Sequence, residues 1–395
     1  MNVDLAVDFA GVKLKNPVIL ASATPGWDGL RLEQAGKAGA AAVIPKTIGP
    51  SVEWAQHPRC GRMSVVRLGG KPMGMINLEL FTTKSKEEWI TTDLAIARRG
   101  GASVIGSIFA APDPRKTGEM ADEIANTEYV DMLEINVSCP MPASAVGMHI
   151  GRDPAAVFKQ VAAVRQKTSL PVMVKMTPNI SDMVSVARAC LDAGANALAI
   201  SNSIRGFAGV NVDSGKPVLP AFGGYTGPAI KPVIQRFVAE VALAVPIPIS
   251  AVGGIMTWRD AVEYIMLGAS TIQVCTSVMW GQYGKIDKIV SGIREFMEEK
   301  GYLSIDDFKG IALRDIVTIE EYSRRPRKVA HVAHDSCKKC GICHQVCFYD
   351  AIEMSDGLPR VNADLCDGCG LCAEFCPCDK AISLRELDRL CTTSL

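Results

Sequence analysis

Two copies of one cysteine run constrain this chain more than any other feature: Cys337-x-x-Cys340-x-x-Cys343-x-x-x-Cys347 and Cys366-x-x-Cys369-x-x-Cys372-x-x-x-Cys376-Pro377. Thiolates are soft, anionic ligands for iron, and two-residue gaps let three of them cover one face of a cube while the fourth crosses to a second cube. The spacing predicts two [4Fe–4S] clusters. Cys337, Cys340, Cys343 and Cys376 would hold the first, and Cys366, Cys369, Cys372 and Cys347 the second. Zinc is the alternative for grouped cysteines, and two complete copies at this spacing weigh against it. Phe348 stands where a proline usually follows the fourth cysteine, and Cys378 and Cys391 fit neither run.

The chain has 14 cysteines in 395 residues, and only Cys60, Cys139, Cys190 and Cys275 precede residue 330. That shift marks a boundary between a large domain and a small one. Residues are 48% hydrophobic and 21% charged with no net formal charge, so a sizeable core is available and no electrostatic footprint for nucleic acid or an anionic membrane appears. No apolar run reaches the length of a membrane span. Asp4 and Asp8 interrupt the apolar part of the N-terminal stretch, which therefore does not read as a secretory signal. A cytoplasmic location is expected, where cysteines serve metal or redox chemistry rather than disulfides.

The first three hundred residues alternate short apolar runs with helical patterns, the rhythm of βα units and a parallel sheet. Eight strands are expected at 17–21, 41–44, 103–108, 132–136, 172–175, 197–201, 247–251 and 271–274. Between them Met183, Val186, Ala187, Cys190 and Leu191 form one apolar helix face stopped by Gly194, and Thr257 with Asp260 forms a capping box. Eight such units predict an α/β fold, a (β/α)8 TIM barrel. A doubly wound sheet is the alternative, but no G-x-G-x-x-G follows the first strand. The domains are expected at 1–300 for the barrel, 301–335 for a linker with a basic, proline-broken stretch at 323–328, and 336–395 for the cluster domain.

In a barrel the chemistry gathers where strands end. Ser22 follows the first strand, Lys46 and Thr47 the second, and Lys175 ends the fifth; Asn202 and Ser203 follow the sixth. Gly253 and Gly254 after strand seven, with Cys275 and Thr276 after strand eight, suit a phosphate held by backbone N–H groups. Two lysines in a barrel mouth are costly unless they face an anion or an electron-rich ring, and a reduced flavin is both.

The segment Asp131 to Pro154 stands out among these ends. Met132, Leu133 and Ile135 read as a buried strand that delivers Asn136, with Cys139 three residues on. A loop follows, closed by Asp153 as N-cap and Pro154 at the first helical position. A thiol beside an amide at the root of a loop suits a general acid. A free cysteine is more often a small core residue, and it is the company of the other strand-end residues that favours the acid. His149 in the same loop is either a second proton donor or a solvent-facing side chain.

With these residues assembled, the chain resembles the flavin and iron–sulfur portion of the dihydropyrimidine dehydrogenases, and its barrel is similar to dihydroorotate dehydrogenase. The resemblance runs nearly the whole length. It implies FMN in the barrel and an α+β bacterial-type ferredoxin domain as the tail. In that family N-x-S-C-P, here Asn136, Ser138, Cys139 and Pro140, supplies a substrate-binding Asn and the catalytic Cys. N-x-E-L matches Asn77, Glu79 and Leu80 and implies that Asn77 and Glu79 hold the ring's amide and carbonyl groups; ISNS carries substrate contacts to Asn202 and Ser203. For the flavin, ASAT matches at Ser22, PKTIG at Lys46 and Thr47, VKMTPN at Lys175, GGYTGPAIKP at Gly227, AVGGI at Gly253 and Gly254, and QVCTS at Cys275 and Thr276. Met141 stands where relatives place a polar residue, and Arg205 follows the Asn202–Ser203 pair as an extra cation. Together they suggest a substrate other than plain uracil, such as one bearing a carboxylate.

The implied reaction reduces an activated C=C bond, or oxidises the dihydro compound in reverse, with hydride from flavin N5 and a proton from Cys139. Lacking a nucleotide fingerprint, the chain would take electrons from an NAD(P)H-oxidising flavoprotein subunit or a ferredoxin, and association into an oligomer is expected. The rival readings are a pure electron-transfer subunit and a metal-storage or structural protein.

Overall fold

The computed structural model describes residues 3–49, 60–138 and 147–387. Eight strands close into a parallel barrel: β1 (Val18–Leu20), β2 (Ala42–Val43), β3 (Ser103–Phe109), β4 (Met132–Asn136), β5 (Val172–Lys175), β6 (Ala197–Ile200), β7 (Ile249–Val252) and β8 (Thr271–Val274). Each pairs with its neighbours in chain order, and Ile272 of β8 against Val18 of β1 seals the ring. All eight expected strands are present, shifted by a residue or two at their ends. Near-continuous burial explains their unbroken apolar runs, because a parallel strand in a barrel is covered on both faces.

Alternation along each strand sorts residues between two cores. Val18, Leu20, Leu133 and Ile135 point outward into the layer beneath the helices. Ile19, Met132 and Met173 point inward and pack with Phe9 and Leu14. Phe9 and Leu14 come from a hairpin, Val7–Phe9 and Val12–Leu14, that plugs the end where the strands begin. Higher up, the inward positions turn polar: Ser107 and Glu134 are fully buried there, and Gln273 nearly so.

The helices start and stop as their sequences dictate. Asp153 accepts from the Ala155 N–H at the head of Pro154–Arg165. The Thr257–Asp260 capping box opens Trp258–Met266. Met183–Asp192 buries Met183, Val186, Ala187 and Cys190, and Gly194 follows at φ +92°.

Sequence periodicity did not announce the roof over the barrel. Two hairpins are inserted at strand ends, Met63–Leu68 with Lys71–Asn77 after β2, and Ile204–Gly206 with Gly223–Thr226 after β6. They join into one four-stranded antiparallel sheet through Gly224 opposite Asn77 and Thr226 opposite Met75. Gly223 makes this approach possible, since a Cβ there would stand 2.2 Å from the Asn77 carbonyl oxygen.

A second compact unit spans Ile316–Leu395, the first being Met1–Asp315. Within the segment 301–335, Ile305 and Phe308 are buried with the barrel core, while Lys328–Val332 is a strand paired antiparallel with Ile382–Glu386. The small unit adds the hairpin Ile352–Ser355 and Leu358–Val361 and two one-turn helices, Ile342–Gln345 and Leu371–Glu374. Each helix is entered through a left-handed glycine, Gly341 and Gly370, so the duplicated cysteine run folds as a duplicated turn. Among the described residues, no helix is long and apolar enough to cross a membrane.

Candidate active site and cluster cavities

The strand ends and the lid sheet enclose about 1070 Å³ of space. Ser22, Lys46, Thr47, Asn136, Lys175, Asn202 and Ser203 line it from the barrel, as do Gly253, Gly254, Cys275 and Thr276. Asn77 ends a lid strand, Glu79 follows it, Gly227 follows another, and all three face the same space. Cys139, Pro140 and Met141 lie outside the described residues.

Glu79 is the electrostatic centre of the lid side. Its Oε2 takes Lys46 Nζ at 2.8 Å and the Thr24 hydroxyl, and its Oε1 takes Arg62 Nε at 2.9 Å. Burial alone would raise its pKa, but the Lys46 charge and the hydrogen bonds from Lys46, Thr24 and Arg62 outweigh it and hold the carboxyl at about 2. Glu79 is thus an obligate hydrogen-bond acceptor at any physiological pH. Lys46 also lies over the Trp27 ring, 5.6 Å from its centroid.

The asparagines are held in order by their neighbours. Asn136 donates from Nδ2 to Thr47 Oγ1 at 2.9 Å and accepts at Oδ1 from the Ser138 hydroxyl at 2.8 Å. Asn202 donates to Ser138 Oγ at 2.6 Å and accepts from the Ser203 N–H at 2.8 Å. Ser138 therefore ties the end of β4 to the loop after β6. Asn77 donates to the Gly224 carbonyl at 3.0 Å, which binds it to the lid register.

Beneath them Thr47 Oγ1 stands 3.1 Å from both Ser22 Oγ and Ser107 Oγ, and Ser107 donates to Glu134 Oε1 at 3.0 Å. Lys175 Nζ reaches the Ser22 carbonyl at 3.3 Å and lies 3.9 Å from Glu134 Oε1. Burial pushes the Cys275 thiol up to about 11, with Lys175 and Lys46 pulling against it, so this cysteine stays neutral. After Cys275 the helix Thr276–Gly281 begins with no side-chain cap, and its first N–H groups lack intrahelical acceptors.

Two sequence expectations change. Arg205 does not line the cavity: it is exposed on the lid sheet with its guanidinium 5.5 Å from the Phe222 ring centroid, so it adds no cation there. His149 is exposed in a short 3-10 helix, Gly147–Arg152, as a solvent-facing side chain. Arg62, Thr24, Ser107 and Glu134 were not anticipated. Thr24 and Glu134 sit inside motifs already singled out, whereas Arg62 carries no sequence signal.

In the small unit, one cavity of about 320 Å³ is lined by Cys337, Cys340, Cys343 and Cys376, with Cys378 also present. Another of about 330 Å³ is lined by Cys347, Cys366, Cys369 and Cys372. The fourth cysteine of each run stands in the other run's cavity. The thiols surround a volume rather than converge: among the described residues, no group of three or more His, Cys, Asp or Glu could hold a single metal ion.

The dihydroorotate dehydrogenase family model matches residues 4–297, and a 4Fe-4S dicluster domain matches residues 330–384. The NAD-dependent dihydropyrimidine dehydrogenase subunit PreA of Escherichia coli is 32% identical over 368 residues, covering 89% of this chain and 88% of that one. The catalytic subunit of dihydroorotate dehydrogenase B (NAD(+)) from Pyrococcus abyssi is 34% identical over 78% of this chain and 99% of its own. Its counterpart from Methanosarcina mazei is 36% identical over 78% of this chain and 95% of its own.

A barrel of this kind binds FMN, and the dicluster domain carries iron–sulfur clusters. The cavity fits a flavin phosphate: an uncapped helix start at Cys275–Thr276 and the backbone of Gly253 and Gly254 supply donors at one end. Lys46 and Lys175, both almost fully buried, suit an electron-rich ring at the other. Thiol-lined cavities of the observed size fit cubes rather than single ions.

Two outcomes follow from this geometry. Glu79 carries a lowered pKa, so its stabilisation is complete above its ordinary value of 4.5 and is lost as pH falls toward about 2. Glu79→Gln should unfold at lower temperature than the parent at neutral pH, with the gap closing through that acid window in a thermal-unfolding series. Cys343→Ser should lower iron and acid-labile sulfide to about half, one cluster of two being lost, while bound flavin is retained.

Proposed function

The chain belongs to the dihydroorotate dehydrogenase family, and on that premise we propose that it reduces, or in reverse oxidises, the activated C=C bond of a pyrimidine-like cyclic amide. The observation that carries the reading is the convergence of Asn77, Glu79, Asn136, Asn202 and Ser203 on one cavity wall shared by barrel and lid. An ionised Glu79 accepts only and so asks for an N–H on the ligand. Carboxamides offer a donor and an acceptor each, the pattern that reads an alternating N–H and C=O edge. A carboxylated substrate meets an anion at Glu79 and finds no help from Arg205.

When bound, FMN supplies the hydride at N5, with electrons delivered to it through the two [4Fe–4S] clusters. Ser22, Lys46, Thr47, Lys175, Gly227, Gly253, Gly254, Cys275 and Thr276 would hold the flavin. Asn77, Glu79, Asn136, Asn202 and Ser203 would grip the substrate ring, and the lid sheet excludes water from it. Cys139 would hold the proton at Sγ and give it to the carbon next to the one that is reduced. The same residues work in the oxidising direction with Cys139 as base. An NAD(P)H-oxidising flavoprotein subunit or a ferredoxin is proposed as the electron donor, in keeping with relatives that are named as subunits.

The direct test is anaerobic: reduce the purified protein and follow flavin reoxidation against uracil, thymine, orotate and other unsaturated cyclic amides. Reoxidation by uracil or thymine is the expected result. Reoxidation only by orotate would overturn the neutral-amide assignment, and silence across the panel would favour a pure electron-transfer subunit. General acid catalysis is worth about 10²–10⁴-fold, so Cys139→Ala should cut turnover by roughly that factor while the bound-flavin spectrum stays unchanged.

A further inference from the structure

The proposed reaction makes no use of Glu134, yet this carboxylate lies in the barrel interior below the cavity. It is fully buried on β4, two residues before Asn136 on the same inward face. Its Oε1 accepts from Ser107, and its Oε2 has no partner among the described residues. Lys175 stands 3.9 Å away, longer than the 2.7–2.9 Å typical of a charge-assisted bond, so the negative charge is only partly offset where it sits.

Counting protons gives this carboxylate an effect at the cavity wall. Each hydroxyl has one hydrogen. If Ser107 gives its hydrogen to Glu134, its oxygen accepts from Thr47, 3.1 Å away. Thr47 has then spent its hydrogen, so the 3.1 Å contact with Ser22 is donated by Ser22. Thr47 meanwhile accepts from Asn136 Nδ2, which fixes the Asn136 amide with its oxygen toward Ser138. One buried charge thereby sets the direction of a chain that runs to Ser22, Thr47 and Asn136, all of which line the cavity. A protonated Glu134 would donate instead, and the chain could reverse.

We propose that Glu134 is a positioning residue for the flavin: its carboxylate orients the Ser22–Thr47–Ser107 hydroxyl chain and is the buried counter-charge for Lys175. It acts through these neighbours and touches neither substrate nor reacting atoms. The proposal rests on the flavin site and not on the substrate assignment, and its test contains no substrate. Its failure therefore leaves the proposed reaction standing.

The test is a spectroelectrochemical titration of the full holoprotein, with FMN binding to the flavin-depleted protein as a second readout. Glu134→Gln keeps the shape and can keep an acceptor for Ser107 while removing the charge. A negative charge within several ångströms opposes electron gain, so its removal should raise the flavin potential, by about a ten-fold gain in affinity for reduced over oxidised FMN. An unchanged or lowered potential in a folded Glu134→Gln protein would overturn the proposal. Should that variant fail to fold, Ser107→Ala decides the matter, since it keeps the charge and cuts the chain. FMN binding weakened by about 3–10-fold, the loss of one hydrogen bond, supports the chain, and unaltered binding overturns it.

Discussion

Closure of the parallel barrel is the constraint from which the site follows. Once β8 pairs with β1 through Ile272 and Val18, all eight strands run the same way and release their last side chains at one end. No strand edge is left to solvent, and period-two alternation divides each strand between an outer apolar layer and the interior. At the bottom the interior is filled by Ile19, Met132, Met173 and the Phe9–Leu14 plug. At the top the same positions become Lys46, Asn136 and Lys175, because they line a cavity and need not fill a core.

Charge in that mouth is handled by pairing across elements that are remote in sequence. Lys46 comes from β2, while Glu79 and Arg62 come from the inserted hairpin region, and Thr24 from the loop after β1. Removing one partner would strand a buried ion, the costly outcome, and this explains why the lid and barrel are joined by polar as well as ladder bonds. The pairing also decides chemistry: it keeps Glu79 ionised and so selects what the cavity can accept.

The small unit solves a different problem with duplication. Its core is modest, with Ala330, Ala351, Ile352 and Ile382 packed against cysteine side chains. Two identical turns, each opened by a left-handed glycine, place three thiols around one volume and hand a fourth to the other. Metal binding and folding are coupled in such a unit, since the ligands form much of the interior.

The cysteine spacing, the eight apolar runs and the strand-end polar residues were all legible along the chain, because metal spacing and strand periodicity are local properties. Lys46, Asn136, Lys175 and Asn202 could be placed at strand ends for that reason. The lid sheet could not, since its pairing of Asn77 with Gly224 spans 147 residues and its strands carry little apolar alternation. Arg205 looked like a substrate cation because it follows Asn202 and Ser203, yet strand alternation in Ile204–Gly206 turns it outward onto Phe222. Arg62 bears no mark until Glu79 is beside it, and Glu134 reads as a flaw in an apolar run until Ser107 and Lys175 surround it. Sequence alone determined the barrel, the two clusters and the residues offered at the mouth; tertiary structure decided which charges meet, because Coulombic and hydrogen-bond partners are chosen by distance in space and not along the chain.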